Sequence, residues 1–321
     1  MIAVLALLAG CENSPSSLTP KGPGAASVTP LWWFMLITAT LVAVIVFSLL
    51  GMALLRSRQE QPAERPMKMD SQRFILLCGA VVPAVILVTL IFLMLGVMAD
   101  LDNPPEEPNT VIEVTGWMWW WEVRYPGTDA VTANEIHIPA GEPVELRVTA
   151  ADVIHGFWVP ELHPQINMTP GIIDTIWIQA DEPGIYRGQC TEFCGLQHTF
   201  MALLVIAQEP DEFDAWLAAQ AEPAPEPSDP VLQRGQQAFL DNQCLFCHAI
   251  RGTSAVGEVG PDLTHVMSRE TLGAATLDNS VGNLAAWTAN PHEFKPGVKM
   301  PAVNFESEEF AALIAYLATL E

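Results

Sequence analysis

Two stretches of the chain have no polar face. Residues 31–55 (LWWFMLITATLVAVIVFSLLGMALL) and 74–99 (FILLCGAVVPAVILVTLIFLMLGVMA) are uncharged and apolar all round. As helices rising 1.5 Å per residue they would be roughly 37–39 Å long, enough to cross a hydrocarbon core of about 30 Å. A surface helix of a soluble domain keeps a polar stripe, so both segments are predicted to span a membrane. Pro83 should kink the second, which a packed bundle tolerates. Over 110–207 the pattern changes to short runs rich in β-branched and aromatic residues: TVIEVTGWMWWWEV, NEIHIP, PVELRVTA, TIWIQ and MALLVIA. The turn signals YPGTD, PAGEP and ADEPG separate them, and such spacing predicts an all-β sandwich or barrel over 100–220. DEFDAWLAAQ then reads as a short amphipathic helix and AEPAPEPSDP as a Pro-rich acidic linker at 221–230. The remainder, 231–321, turns helical: Phe310, Leu313, Ile314 and Leu317 follow i, i+3, i+4, i+7 behind Glu306, Glu308 and Glu309.

Charge orients this layout. The loop between the spans holds Arg56, Arg58, Arg65, Lys68 and Arg73, five of the 14 basic residues. Loops rich in Lys and Arg stay in the cytoplasm, which sets both termini on the outer face. From Asp100 onward 33 acidic residues face 8 basic ones, a net −25. Such a field excludes nucleic acid as a partner and favours basic proteins. At the start, MIAVLALLAGC ends in Leu8-Ala9-Gly10-Cys11, which resembles a bacterial lipoprotein cleavage box. Residues 1–10 would then be a signal peptide, Cys11 the lipidated residue, and 11–30 a flexible tether.

Of the six cysteines, Cys78 lies in a predicted span and Cys11 in the cleavage box; the other four form two close pairs, each with its own histidine. CLFCH at 244–248 is the Cys-x-x-Cys-His attachment sequence for c-type haem. Both thiols, Cys244 and Cys247, can bond one porphyrin edge while His248 reaches the iron. Met300, in KPGVKMP, is the leading second axial ligand, and a Met–His pair raises the reduction potential. Met267, His265 and His292 are the competing donors. A domain of this size with that motif fits an all-α class I cytochrome c.

The second pair sits in CTEFCGLQHTFM, residues 190–201. A closed zinc site would accept the Cys-x3-Cys spacing, but a thioether is a soft ligand that selects copper. A redox disulfide usually occupies Cys-x-x-Cys. A strand–loop–strand corner of a β-sandwich with Cys, His and Met is the geometry of cupredoxins, and two cysteines suggest two coppers sharing both sulfurs. His137 and His163 lie on or beside strands, where a structural or surface role is expected.

This loop resembles the binuclear copper A loop of the cytochrome c oxidase subunit II family, Cys-x-Glu-x-Cys-x3-His-x2-Met. DVIHGFWVPEL resembles the segment supplying the other histidine, here His155, and GWMWWWEV the aromatic strand, with Trp119 at the first Trp of the usual Trp-Tyr-Trp. Two membrane helices before an exported cupredoxin domain are the family layout, and members with a fused cytochrome c are known. The resemblance implies that Cys190 and Cys194 bridge both coppers. His155 and Met201 would complete one, and His198 with the carbonyl of Glu192 the other. It further implies that the Glu192 side chain serves a magnesium ion facing subunit I, and that Trp119 is where electrons enter. GPDLTHV, with Pro261, resembles the cytochrome c segment beside the proximal histidine. Partners implied are oxidase subunits I and III and a cytochrome c or similar cytochrome donor, at a bacterial inner membrane. The implied function is electron transfer to subunit I, which reduces oxygen to water coupled to proton translocation. A copper A nitric oxide reductase subunit and a lipid-anchored copper-binding electron carrier are the alternatives. One departure stands out: many relatives carry a Glu where this chain has Leu76, and neither span has an ionisable group to replace it.

Overall fold

The structure, a computed structural model, describes residues 15–57 and 70–321. Cys11, Arg58, Arg65 and Lys68 lie outside the described residues. The chain divides into two units, Ala26–Asn103 and a second formed by Pro104–Glu321 with the residues up to Ala25.

In the first unit, α1 (Pro23–Ser57) is followed by α2 (Ser71–Leu76), a π-helical turn (Leu77–Val81) and α3 (Val82–Asp102). Both long helices are apolar enough to cross a membrane, and neither buries its apolar window within the protein. The expected disturbance at Pro83 takes the form of the π turn just before it, which removes the proline ring from the preceding carbonyls. Asp70 caps α2 by accepting the Gln72 amide at 3.1 Å. Helix α1 starts at Pro23, inside the stretch expected to be a tether; within the second unit, the Lys21 amide is bonded to Glu161 and the Ala25 amide to Leu162.

The second unit opens with a β-sandwich. One sheet runs β3 (Val131–Ala133), β2 (Trp120–Arg124), β1 (Thr110–Trp117), β5 (Val144–Ala150), β8 (Asp174–Ile178). A second runs β4 (Glu135–Pro139), β10 (Ala202–Gln208), β9 (Gly184–Gln189), and β6 (His155–Val159) pairs with β7 (His163–Met168). Strand β5 alternates buried and part-exposed residues, the period-2 signature of a sheet with one core face. Ile112, Val114, Trp121, Leu146, Val148, Phe157 and Val205 meet in the core. The aromatic run TVIEVTGWMWWWEV is not one strand. It is the hairpin β1–β2, turning at Met118-Trp119 with Trp117 opposite Trp120. Both arms carry similar residues, so the run alone hides the reversal. Asn134 adopts φ 64, the left-handed region that Asn tolerates, and its side chain accepts the Trp121 amide at 2.9 Å. The predicted amphipathic helix is α4 (Pro210–Ala221), which lays Phe213 and Trp216 against Tyr125.

After the Pro-rich segment comes a helical domain: α5 (Pro230–Asp241), α6 (Val281–Ala289) and α7 (Ser307–Leu317), with a small hairpin β11 (Thr271–Leu272) and β12 (Leu277–Asp278). Helices α5 and α7 cross where Gly235 meets the Ala312 carbonyl; a Cβ there would lie 2.0 Å from that oxygen. Phe239, Ile250, Leu284, Leu313, Leu317 and Leu320 form the core.

Candidate metal and haem sites

The loop between β9 and β10 is closed at its base, where the Cys190 amide donates to the Met201 carbonyl at 2.9 Å. It is pinned to β6 by the Thr191 amide, which donates to Gly156 at 3.0 Å. A Cβ on Gly156 would sit 2.2 Å from the Thr191 hydroxyl, so only glycine lets β6 approach this closely. The sulfurs of Cys190 and Cys194 are buried and 3.8 Å apart, too far for a disulfide. His155 Nδ1 lies 3.9 Å from Cys190 Sγ, and His198 Nδ1 3.7 Å from Cys194 Sγ. Met201 Sδ is 3.8 Å from Cys194 Sγ, and the Glu192 carbonyl 3.3 Å from Cys190 Sγ. The four other donors that the loop motif and DVIH suggest are thus gathered around the two sulfurs.

The hydrogen bond from Cys194 and the neighbouring His155 hold Cys190 below the usual thiol range. The same bond, with burial, pushes Cys194 up. Removing both protons needs positive charge between the sulfurs, and two thiolates, two imidazoles and a thioether are a soft set suited to copper. Asp152 orients one imidazole: its Oδ1 lies 2.9 Å from His155 Nε2, which leaves Nδ1 facing the sulfur. Burial alone would raise the Asp152 carboxyl, but the bonds from His155, the Met118 amide and the Val153 amide keep it low.

A cavity of about 300 Å³ lies within the second unit. Cys244, Cys247, His248 and Met300 line it with Leu263, Leu284, Trp287 and Leu313, and the β-sandwich contributes Met118, Trp119 and Trp120 to its wall. His248 Nδ1 donates to the Pro261 carbonyl at 2.7 Å, which leaves Nε2 with a free lone pair for a metal. Gly260 packs flat on that ring; a Cβ would lie 2.7 Å from it. An apolar cavity with two thiols, an imidazole and a thioether fits a covalently held haem. Met267, His265 and His292 do not line it. His265 instead bonds the carbonyls of Glu321 (2.7 Å) and Glu222 (2.9 Å).

Trp119 joins the two sites. It is 9 % exposed, and its indole N–H donates to the Cys194 carbonyl at 2.9 Å. The Glu192 side chain is exposed. His137 and His163 are buried and structural: His137 stacks on Trp216 at 3.8 Å and bonds Gln208, and His163 bonds the Pro164 carbonyl.

Some contributing residues left little trace in the sequence. Asp152 had one signal, its place three residues before His155. Glu135 is fully buried and accepts the amides of Glu270 (3.1 Å) and Thr271 (2.9 Å) from the helical domain. Burial raises its carboxyl, against those bonds and the nearby Arg269 charge. Lys295, lowered to about 8 by burial, has no periodicity or motif to announce its position.

Comparison with known proteins agrees with this layout. The profile "Cytochrome C oxidase subunit II, periplasmic domain" matches residues 128–208, and the profile "Cytochrome c" matches 232–321. Cytochrome c oxidase subunit 2 of Alkalihalophilus pseudofirmus is 36% identical over 323 residues, covering 98% of this chain and 94% of that protein. Its counterpart in Bacillus sp. strain PS3 is 28% identical over 285 residues, covering 83% and 80%. The periplasmic domain of subunit II of cytochrome oxidase from Bradyrhizobium japonicum is a solved structure at 29% identity and TM-score 0.35. It covers 36% of this chain and 95% of that one.

Proposed function

Because this chain belongs to the cytochrome c oxidase subunit II family and carries a cytochrome c domain, we propose that it is the electron-transfer subunit of a respiratory oxidase. Electrons from a basic cytochrome donor would reach subunit I by way of haem c and copper A, and subunit I would reduce oxygen to water with proton translocation. Two coppers and one covalent haem are the cofactors, with a magnesium ion at the Glu192 side chain. The chain is membrane-anchored through α1 and α3, with both folded domains on the outer side and subunits I and III as neighbours.

The observation that carries this reading is the set of donors grouped around two sulfurs 3.8 Å apart. Cys190 and Cys194 would bridge the metals. His155 and Met201 would complete one, and His198 with the Glu192 carbonyl the other. When bound, copper A supplies a one-electron couple whose charge is spread over two metals. The chain's own part is to hold that set still: the Cys190 and Thr191 amides fix the loop at both ends, and Asp152 fixes the His155 ring. A rigid donor set moves little when charge is added. Cys244 and Cys247 would anchor the porphyrin, His248 and Met300 would approach the iron, and the apolar cavity wall would exclude water.

Copper content and paramagnetic resonance of the purified chain test the proposal. Two coppers per chain and a hyperfine pattern from one electron shared by both nuclei are expected. Cys190→Ser or Cys194→Ser should abolish that pattern, whereas Met201→Leu should keep copper bound and shift its potential. One localised copper in the wild type would refute it.

A further inference from the structure

The loop that presents Met300 is also the part of the helical domain seated on the copper loop. Lys295, at its start, is 1 % exposed. Its ammonium donates to the carbonyls of Phe200 at 2.9 Å, Gly273 at 3.0 Å and Trp119 at 3.5 Å. Those oxygens belong to three separate segments: the copper loop, the β11–β12 turn of the helical domain and the β1–β2 turn of the sandwich. The lysine therefore spends all three N–H groups on backbone oxygen. Next to it, the Gln197 side chain donates to the Pro296 carbonyl. Gly297, at φ 86, comes so close to the copper loop that a Cβ would lie 3.1 Å from Leu196 Cδ1. At the other end of the loop, Lys299 reaches Asp152 at 3.8 Å, the carboxylate that orients His155.

An ammonium is costly to bury, and an apolar residue would fill this space at lower cost. Directional bonds to three segments give something apolar packing does not: a single register between the domains. Resting on the function proposed above, we propose that Lys295 is a positioning residue that locks the haem-bearing domain against the copper loop, setting the gap that electrons cross between them. The transfer it serves moves one electron from reduced haem to the oxidised copper pair, with no bond made or broken and no proton required. Trp119 lies in that gap, bonded through its indole to Cys194 and through its carbonyl to Lys295.

The test uses the full-length chain in detergent with haem and copper bound. Haem is reduced by a light-driven one-electron donor, and its reoxidation by copper is followed optically. The shortening of copper spin relaxation by the ferric haem, a distance-dependent signature, is recorded separately. In Lys295→Met the transfer should slow at least about tenfold and the relaxation effect should weaken, with the haem absorption bands and copper hyperfine pattern unchanged. Lys295→Gln, which keeps N–H donors, should fall between. A wild-type rate and relaxation effect in Lys295→Met would overturn the proposal. So would loss of both metals in both variants, which would make Lys295 a folding residue. If reduced haem in the wild type does not pass its electron to copper at all, the functional reading itself fails, and the two failures are thereby distinct.

Discussion

Trp119 and Cys194 are joined by a single hydrogen bond, from the indole N–H to the backbone carbonyl at 2.9 Å. The bond ties the wall of the haem cavity to a residue that would bridge both coppers. Gly195 makes it possible: at φ 116 it lets the loop lie on the indole, and a Cβ there would be 3.0 Å from the ring.

Trp119→Phe keeps an aromatic ring in the wall but removes the donor and part of the ring system. It leaves a buried carbonyl unpaired, which should cost about 1–3 kcal/mol of stability. Thermal unfolding should register that loss, while haem-to-copper transfer slows and both metal spectra persist. An unchanged unfolding temperature would mean that water replaces the indole.

Met300 lines the haem cavity and Met267 does not. Met300→Ala should therefore abolish the sulfur-to-iron absorption band in the ferric spectrum and lower the reduction potential. Met267→Ala should leave both untouched. Loss of the band in Met267→Ala alone would reverse the assignment. Pro301 after Met300 and Pro296 before it restrict the loop's unfolded states and help present the sulfur.

Asp152 bonds His155 Nε2 at 2.9 Å. Asp152→Asn removes the charge and leaves the tautomer of His155 less firmly set. Copper affinity should fall by about 10–100-fold, the usual range for such supporting groups. Competition with a copper chelator would measure this, and an unaltered affinity would show that the backbone alone aims the imidazole.

His137 gives a pH dependence of known sign. Burial lowers it from 6.5 to about 4, so the unfolded chain binds a proton that the folded chain refuses. Stability from this group is full above 6.5 and is lost as pH falls towards 4. Glu135, whose carboxylate lies 4.0 Å from the ring, is shifted up by burial and acts in the opposite sense. Between pH 7 and 5 the histidine should cost about 2 kcal/mol. His137→Gln should remove that slope in denaturant unfolding at the two pH values; an equal slope in the variant would contradict it.

The order of elements, the membrane helices and both cofactor motifs follow from local chemistry that short segments carry by themselves. An uncharged stretch with no polar face must be covered by lipid or by protein, and its length is enough to cross a membrane. The spacings in CTEFCGLQHTFM and CLFCH reflect reach within one loop, so they survive without tertiary information. The hairpin hidden in the tryptophan run was not legible, because a chain reversal inside a uniform apolar pattern changes no periodicity. Among Met300, Met267, His265 and His292 the sequence favours Met300, but all four have suitable donor atoms, and it is folding that brings Met300 alone of the four to the cavity wall. The seam between the domains depended on folding still more. Lys295 and Glu135 look like ordinary surface charges, and they become buried anchors only when backbone carbonyls and amides from distant segments converge on them. Such groups leave no sequence signal because their partners are main-chain atoms, which every residue possesses.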